Sequence, residues 1–129
     1  MNTVYKIILF LIILISVSFN LHAAAKETQS PNPLAENQEA IAEGRSIYRA
    51  NCAYCHGLRA NGKGRGLPNS ADLRKFKRGY TAFFSTVVNG WKTMPAWGSA
   101  GPLEYDQINK IGAYLETIAI KGSKWQDEE

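Results

Sequence analysis

The segment Cys52-Ala53-Tyr54-Cys55-His56 constrains this chain more than any other. It holds both cysteines of the sequence, three positions apart, with a histidine directly after the second. C-x-x-C-H is the attachment signature for haem c. Two thiols about one helical turn apart can reach both vinyl groups of a porphyrin and form thioethers. The next residue projects over the ring face, so its imidazole can bind iron. Three other chemistries use such cysteines. An exported chain often joins its cysteines in a disulfide, but a bridge over two residues closes a tiny loop and constrains the unfolded chain little. A thioredoxin-like motif needs a β-α-β context, and no strand alternation is visible. Zinc takes four ligands, and the mature chain offers only Cys52, Cys55 and His56 as strong candidates.

"Mature" rests on the N-terminus. Lys6 precedes an apolar run from Ile7 to Val17 broken only by Ser16, and Ala23, Ala24 and Ala25 follow. That order reads as a secretory signal peptide. The competing reading is an uncleaved anchor, but the run is short of the roughly 20 apolar residues that span a bilayer. Cleavage after Ala23 or Ala25 fits the small residues equally, and Ala23 is taken. The expected organisation is a signal at 1–23, a flexible lead-in at 24–37 carrying Pro31 and Pro33, a domain at 38–120, and a polar acidic tail at 121–129. The expected product is periplasmic and monomeric, with no stable membrane insertion. It is small enough to lean on a staple, and a covalently held haem supplies one.

Cleavage also removes His22 and Met1, leaving His56 the sole histidine and Met94 the sole methionine. Two histidines from one chain therefore cannot ligate the iron. A lone methionine is ordinarily core filler. Met94, however, lies in a Pro/Gly-rich loop and precedes Pro95, which biases it towards extended geometry. Beside a haem that needs a sixth ligand, it is the expected axial partner of His56. His/Met ligation raises the reduction potential. The alternative is a haem enzyme or sensor with an open sixth site, and the sequence offers no second histidine to serve it.

Helical periodicity predicts an all-α chain with long loops. Ala40, Ile41, Gly44, Ile47 and Tyr48 share a face over Gln38–Asn51. A short helix is expected over Ala82–Asn89, stopped by Gly90, and an amphipathic one over Tyr105–Ala119 with Ile108, Ile111, Leu115 and Ile118 in one stripe. Gly44 inside a helix asks for a packing reason.

These residues resemble the class I c-type cytochromes over roughly Glu39 to Ile120. The resemblance lies in Cys52-x-x-Cys55-His56, the Gly62/Gly64/Gly66-Pro68 loop, Met94-Pro95 and the closing helix with Tyr114. It implies that fold, with three to four helices and long loops around one covalent haem. It also implies a near-perpendicular crossing of the first and last helices, with Gly44 facing Tyr114 or Leu115. A loop carbonyl, Pro68 by spacing, would accept a hydrogen bond from the His56 Nδ1–H, orienting the ring. The stretch Gly90-Trp91-Lys92-Thr93-Met94-Pro95-Ala96-Trp97-Gly98 is also similar to small cytochromes that serve PQQ-dependent alcohol or methanol dehydrogenases. That implies such a donor, and an oxidase or another cytochrome as acceptor.

Charge bears on partners. Net charge is +4, too mild to argue for nucleic acid. Seven basic residues against Asp72 alone fall between Arg59 and Arg78. They are expected either as a solvated face or as a basic rim that steers an acidic redox partner. Trp91 and Trp97 flank Met94, and one of them is a candidate donor to a haem propionate, as are Arg59 and Arg65.

Overall fold

The computed structural model describes residues 30–99 and 101–128; the signal peptide read at 1–23 lies outside them. Four α-helices occur in the described residues, in the order α1 (Gln38–Asn51), α2 (Ala53–His56), α3 (Tyr80–Asn89) and α4 (Tyr105–Thr117). A 3₁₀ turn at Leu73–Lys75 lies between α2 and α3. The only β pairing among the described residues is two isolated bridges, Asn61 with Asp72 and Trp91 with Met94. The all-α expectation holds.

Helix α1 has the bounds that its periodicity predicts. The Asn37 side chain accepts from the Ala40 N–H at 3.0 Å, and Glu39 and Arg49 suit the helix dipole at the two ends. Its buried residues, Ala40, Gly44 and Tyr48, recur every four positions and form one stripe. The stripe packs on α4, which opens with a reciprocal capping box between Glu104 and Gln107. Ile108, Ile111 and Leu115 of α4 are fully buried. A Cβ at Gly44 would overlap the Lys110 carbonyl and crowd the Ile111 nitrogen. The close crossing is therefore real, but it falls on the Lys110–Ile111 backbone, one turn before the expected Tyr114 or Leu115. Tyr114 packs instead on Tyr48, ring centroids 5.5 Å apart. Lys110 ties the rim, reaching Glu43 of α1 at 2.8 Å and Asp106 at 2.7 Å.

Helix α3 starts two residues before its predicted start, and the cause lies far along the chain. Gly79 offers no capping side chain. The Tyr80 N–H donates to the Trp125 carbonyl at 2.9 Å. The Thr81 N–H donates to Asp127 Oδ1 at 2.9 Å. These bonds satisfy donors that a helix start leaves free. The expected polar tail at 121–129 is thus, over its described part, a strap. Trp125 is 7% exposed within the core, and the Lys124 N–H donates to the Phe76 carbonyl at 2.7 Å.

The lead-in is likewise held down where it is described. Asn32 is 3% exposed. Its Nδ2 donates to the Asn109 carbonyl at 3.0 Å and to Glu116 Oε1 at 3.2 Å. Its Oδ1 accepts from the Leu34 N–H at 3.0 Å. Within the lead-in, Asn32 thus anchors the chain to α4. A buried amide placed on α4 has to be matched on three sides. Burial pushes the Glu116 carboxyl above its ordinary value of 4.5, and hydrogen bonds from Ser30 and Asn32 only partly offset it. A raised carboxyl means that the native state holds the proton more tightly than the unfolded chain. Its contribution is thus favourable in acid and lost as pH rises through the folded pKa. Glu116→Gln keeps an acceptor for Asn32 and removes the desolvated charge. It should raise the melting temperature at pH 7 and leave it nearly unchanged at pH 4, as scanning calorimetry at both pH values can check.

Candidate haem site

Cys52 follows α1 directly. Its N–H still bonds the Tyr48 carbonyl at 2.8 Å, as in a continuing helix, while its own carbonyl accepts from His56 at 2.9 Å and so starts α2. The two thiols are free rather than joined, and both are partly buried. Burial, and then the neighbouring Cys55, push the Cys52 thiol up to about 12. At neutral pH it stays protonated and is a poor nucleophile until ionised. Tyr48 holds this corner in place. Its hydroxyl donates to the Gly57 carbonyl at 2.7 Å within the core.

The glycine loop closes over the open end of α2. The Arg65 and Gly66 N–H groups donate to the Tyr54 carbonyl at 2.7 and 2.9 Å. A Cβ at Gly64 would overlap the Tyr54 and Cys55 carbonyls, and one at Gly66 would stand 2.6 Å from Cys55 Sγ. The glycines let backbone approach the haem-attachment segment at distances that no side chain permits.

His56 Nδ1 lies 3.0 Å from the Ala71 carbonyl oxygen. A carbonyl only accepts, so Nδ1 carries the hydrogen and Nε2 keeps its lone pair for a metal. The sequence reading gives this role to Pro68, and the structure corrects it to Ala71. Past Pro68, which is exposed, the chain turns through Asn69 at a φ of 64°, and the Ser70 hydroxyl closes the turn on the Leu67 carbonyl at 3.1 Å. Leu73 N–H donates to the Ala60 carbonyl at 2.8 Å. The extra turn carries the chain onward, so the orienting carbonyl falls three residues later.

Met94 is held by a tight hairpin. The Trp91 N–H donates to the Met94 carbonyl at 3.0 Å, and the Met94 N–H returns to the Trp91 carbonyl at 2.9 Å. Lys92 takes a left-handed φ of 53° to make the turn. Immediately afterwards, Trp97 and Gly98 donate to the Val87 and Val88 carbonyls at 2.9 and 3.3 Å, stitching the loop to the end of α3. Met94 and Cys52 pack against one buried cluster that includes Tyr48, Phe83, Leu115 and Trp125. Trp97 is half-buried against the same cluster. Trp91 points the other way. It is 54% exposed, with the Arg78 guanidinium 5.1 Å above its ring.

Arg49 and Arg59 line two hollows, one with Lys63 and Arg65 and the other with Arg45 and Arg74. Arg59, Lys63 and Arg65 gather with Arg49 of α1 around a hollow of about 520 Å³ beside Tyr54 and Leu58, which are 67% and 66% exposed. Arg74 is instead spent on Asp72, at 2.8 Å, and holds that carboxyl below its usual value.

These residues fit a covalent haem. The thiols are unjoined, the imidazole presents a free Nε2, Met94 is pinned in a loop, and apolar side chains back them all. Among the described residues no cluster of three or more His, Cys, Asp or Glu could hold a bare metal ion. This all-helical domain has the fold of a class I c-type cytochrome.

The chain belongs to the family described as Cytochrome C oxidase, cbb3-type, subunit III, which residues 39–115 match. It is similar to cytochrome c6 of Tetradesmus obliquus, 35% identical over 92 residues, covering 66% of this chain and 97% of that protein. Cytochrome c6 of Limnospira maxima is 35% identical over 88 residues, covering 64% and 97%. The cbb3-type cytochrome c oxidase subunit CcoP of Azospirillum brasilense is 36% identical over 93 residues, covering 61% of this chain but only 31% of the subunit. No solved structure matches. The protein is thus a monohaem c-type cytochrome, an electron carrier rather than an enzyme. Haem c supplies a one-electron ferric/ferrous couple.

Proposed function

We propose that this protein is an exported single-electron carrier that accepts electrons from a PQQ-dependent alcohol or methanol dehydrogenase and passes them to a terminal oxidase or another cytochrome. Cys52 and Cys55 would hold the haem, and His56 and Met94 would ligate its iron. The observation that carries the reading is the Met94 hairpin. It half-buries the ligand while presenting exposed Trp91, covered by Arg78, at the other end of the same hairpin. It lies within the Gly90–Gly98 stretch that resembles the dehydrogenase-linked cytochromes. Similarity to the oxidase subunit supports the acceptor end. Residues 1–23 supply the export signal and hence a periplasmic location. No helix among the described residues is long and apolar enough to cross a membrane, and the monomer needs no partner copy to complete its site.

Partner docking falls to Arg49, Arg59, Lys63 and Arg65, none of which makes an ion pair among the described residues. Unpaired basic side chains around two exposed apolar ones suit a small, transient, acidic interface. Stopped-flow reduction of the ferric protein by a quinoprotein dehydrogenase and its alcohol should be fast at low ionic strength and slow as salt screens the charges. The triple variant Arg59→Glu, Lys63→Glu, Arg65→Glu should lose about tenfold or more at low salt. A dehydrogenase that leaves the protein ferric, while a small chemical reductant reduces it, would exclude this donor.

A further inference from the structure

The second hollow that Arg49 and Arg59 line holds about 930 Å³, and neither Lys63 nor Arg65 is in its wall. Helix α1 forms one side of it from Gln38 to Arg49, and the end of α4 forms another at Tyr114 and Thr117. Four arginines line it, Arg45, Arg49, Arg59 and Arg74, and no acidic residue does. Arg74 is held by Asp72. Arg45, Arg49 and Arg59 are exposed and make no ion pair among the described residues. Glu43, the acid nearest to Arg45 in the sequence, is taken by Lys110 at 2.8 Å. The wall also carries apolar surface, with half-buried Ile41 and Ile118 and exposed Leu58.

Charge and shape together define an occupant. Guanidinium groups gathered without a counter-charge favour carboxylates, which they can bind through paired hydrogen bonds. The apolar wall favours an occupant that brings hydrocarbon as well, which a small inorganic anion does not. The α1 side of the hollow, from Gln38 to Arg49, runs roughly 16 Å at the helical rise per residue, or about three turns. Arg45 and Arg49 stand one turn apart, so they match glutamates one turn apart on a facing helix. A concave site of this kind receives an amphipathic helix, whereas a flat bilayer surface cannot enter it. None of Cys52, Cys55, His56, Trp91 or Met94 lines the hollow. An occupant seated there leaves the haem-attachment segment and the Met94 hairpin free.

We infer that the hollow between α1 and the end of α4 is a tethering site for an acidic amphipathic helix of a partner protein, separate from the surface that exchanges electrons. A tethered carrier meets its partner at a raised effective concentration. The site is independent of which donor reduces the haem. The probe is a capped synthetic helix of about four turns with glutamates and leucines on one face at one-turn spacing. Titrated into the ¹⁵N-labelled ferrous holoprotein, it should shift the amide signals of Ser46, Arg49, Thr117 and Ile118, and added salt should weaken it. Ser46 and Ala42 are exposed positions of α1 in the wall. Ser46→Glu sets a like charge among the arginines, and Ala42→Trp fills the hollow without changing charge. Each should weaken the peptide by about tenfold or more, while thermal melts show the fold retained. The pair Lys63→Glu, Arg65→Glu, which lies in the other hollow, should change its affinity by no more than about threefold at physiological salt. Shifts confined to Tyr54, Lys63 and Arg65 would overturn the assignment. So would equal binding by a peptide whose leucines are replaced by serine, since charge alone would then suffice. Binding to phosphatidylglycerol vesicles without binding to the peptide would also overturn it, as would no shift at all.

Discussion

Met94→Ala should keep its haem through denaturation yet lose on the order of 0.2 V of reduction potential, out of the roughly 0.8 V that axial ligation spans. In the proposed site, attachment depends on Cys52 and Cys55, which the substitution does not touch, and the potential depends on the Met94 thioether, because a soft sulfur ligand favours the ferrous state. The hairpin is fixed by the paired Trp91–Met94 bonds and by the stitch of Trp97 and Gly98 to α3, and these are backbone contacts that alanine preserves. The loop should therefore persist with its ligand missing. The far-red sulfur-to-iron absorption band should vanish, and the ferrous variant should bind carbon monoxide, which the parent excludes. Spectroelectrochemical titration reads the first effect and gas addition the second. An unchanged potential with the band retained would remove Met94 from the iron.

Gly44→Val carries the largest expected loss of stability. The obstruction it meets is the Lys110 carbonyl and the Ile111 nitrogen, which are backbone rather than a movable side-chain end. Overpacking commonly costs about 1–3 kcal/mol and sometimes more. Here α1 and α4 would have to separate along the contact that buries Tyr48, Ile108, Ile111 and Leu115. A loss of about 3 kcal/mol or more is expected. At roughly 4–8 °C per kcal/mol for a domain of this size, the melting temperature should fall by more than about 12 °C. Gly122→Ala is the control. Nothing lies within 4 Å of its added Cβ, so only the cost of its φ of 87° remains. Thermal melts of the two variants should differ widely, and similar melts would mean the crossing is not close-packed.

Local signals carried the parts that chemistry needs. The C-x-x-C-H spacing, the caps of α1 and the apolar stripe of α4 act over a few residues, and all are visible in the sequence. Counting histidines and methionines past residue 23 leads to Met94 as the proposed second ligand, because elimination does not depend on geometry. Features formed by distant segments were not legible. Asn32 meets residues 77 and 84 positions away, and Asp127 caps a helix 46 positions back. Neither leaves a periodic trace, and Pro31 and the terminal acids read locally as solvent-exposed chain. Trp125 did leave a signal, as a lone tryptophan within an otherwise polar tail. The turn through Asn69 hid the true partner of His56, since counting along a loop cannot register an added turn.

The account stands on covalent attachment, and one measurement addresses it directly. The protein is expressed with the c-type maturation machinery, purified, denatured and digested with trypsin, and the peptide spanning residues 50–59 is weighed. The prediction is a mass increase of one haem on that peptide, with fragmentation placing the thioethers on Cys52 and Cys55. A peptide of unmodified mass, with its thiols free or joined to each other, would contradict it.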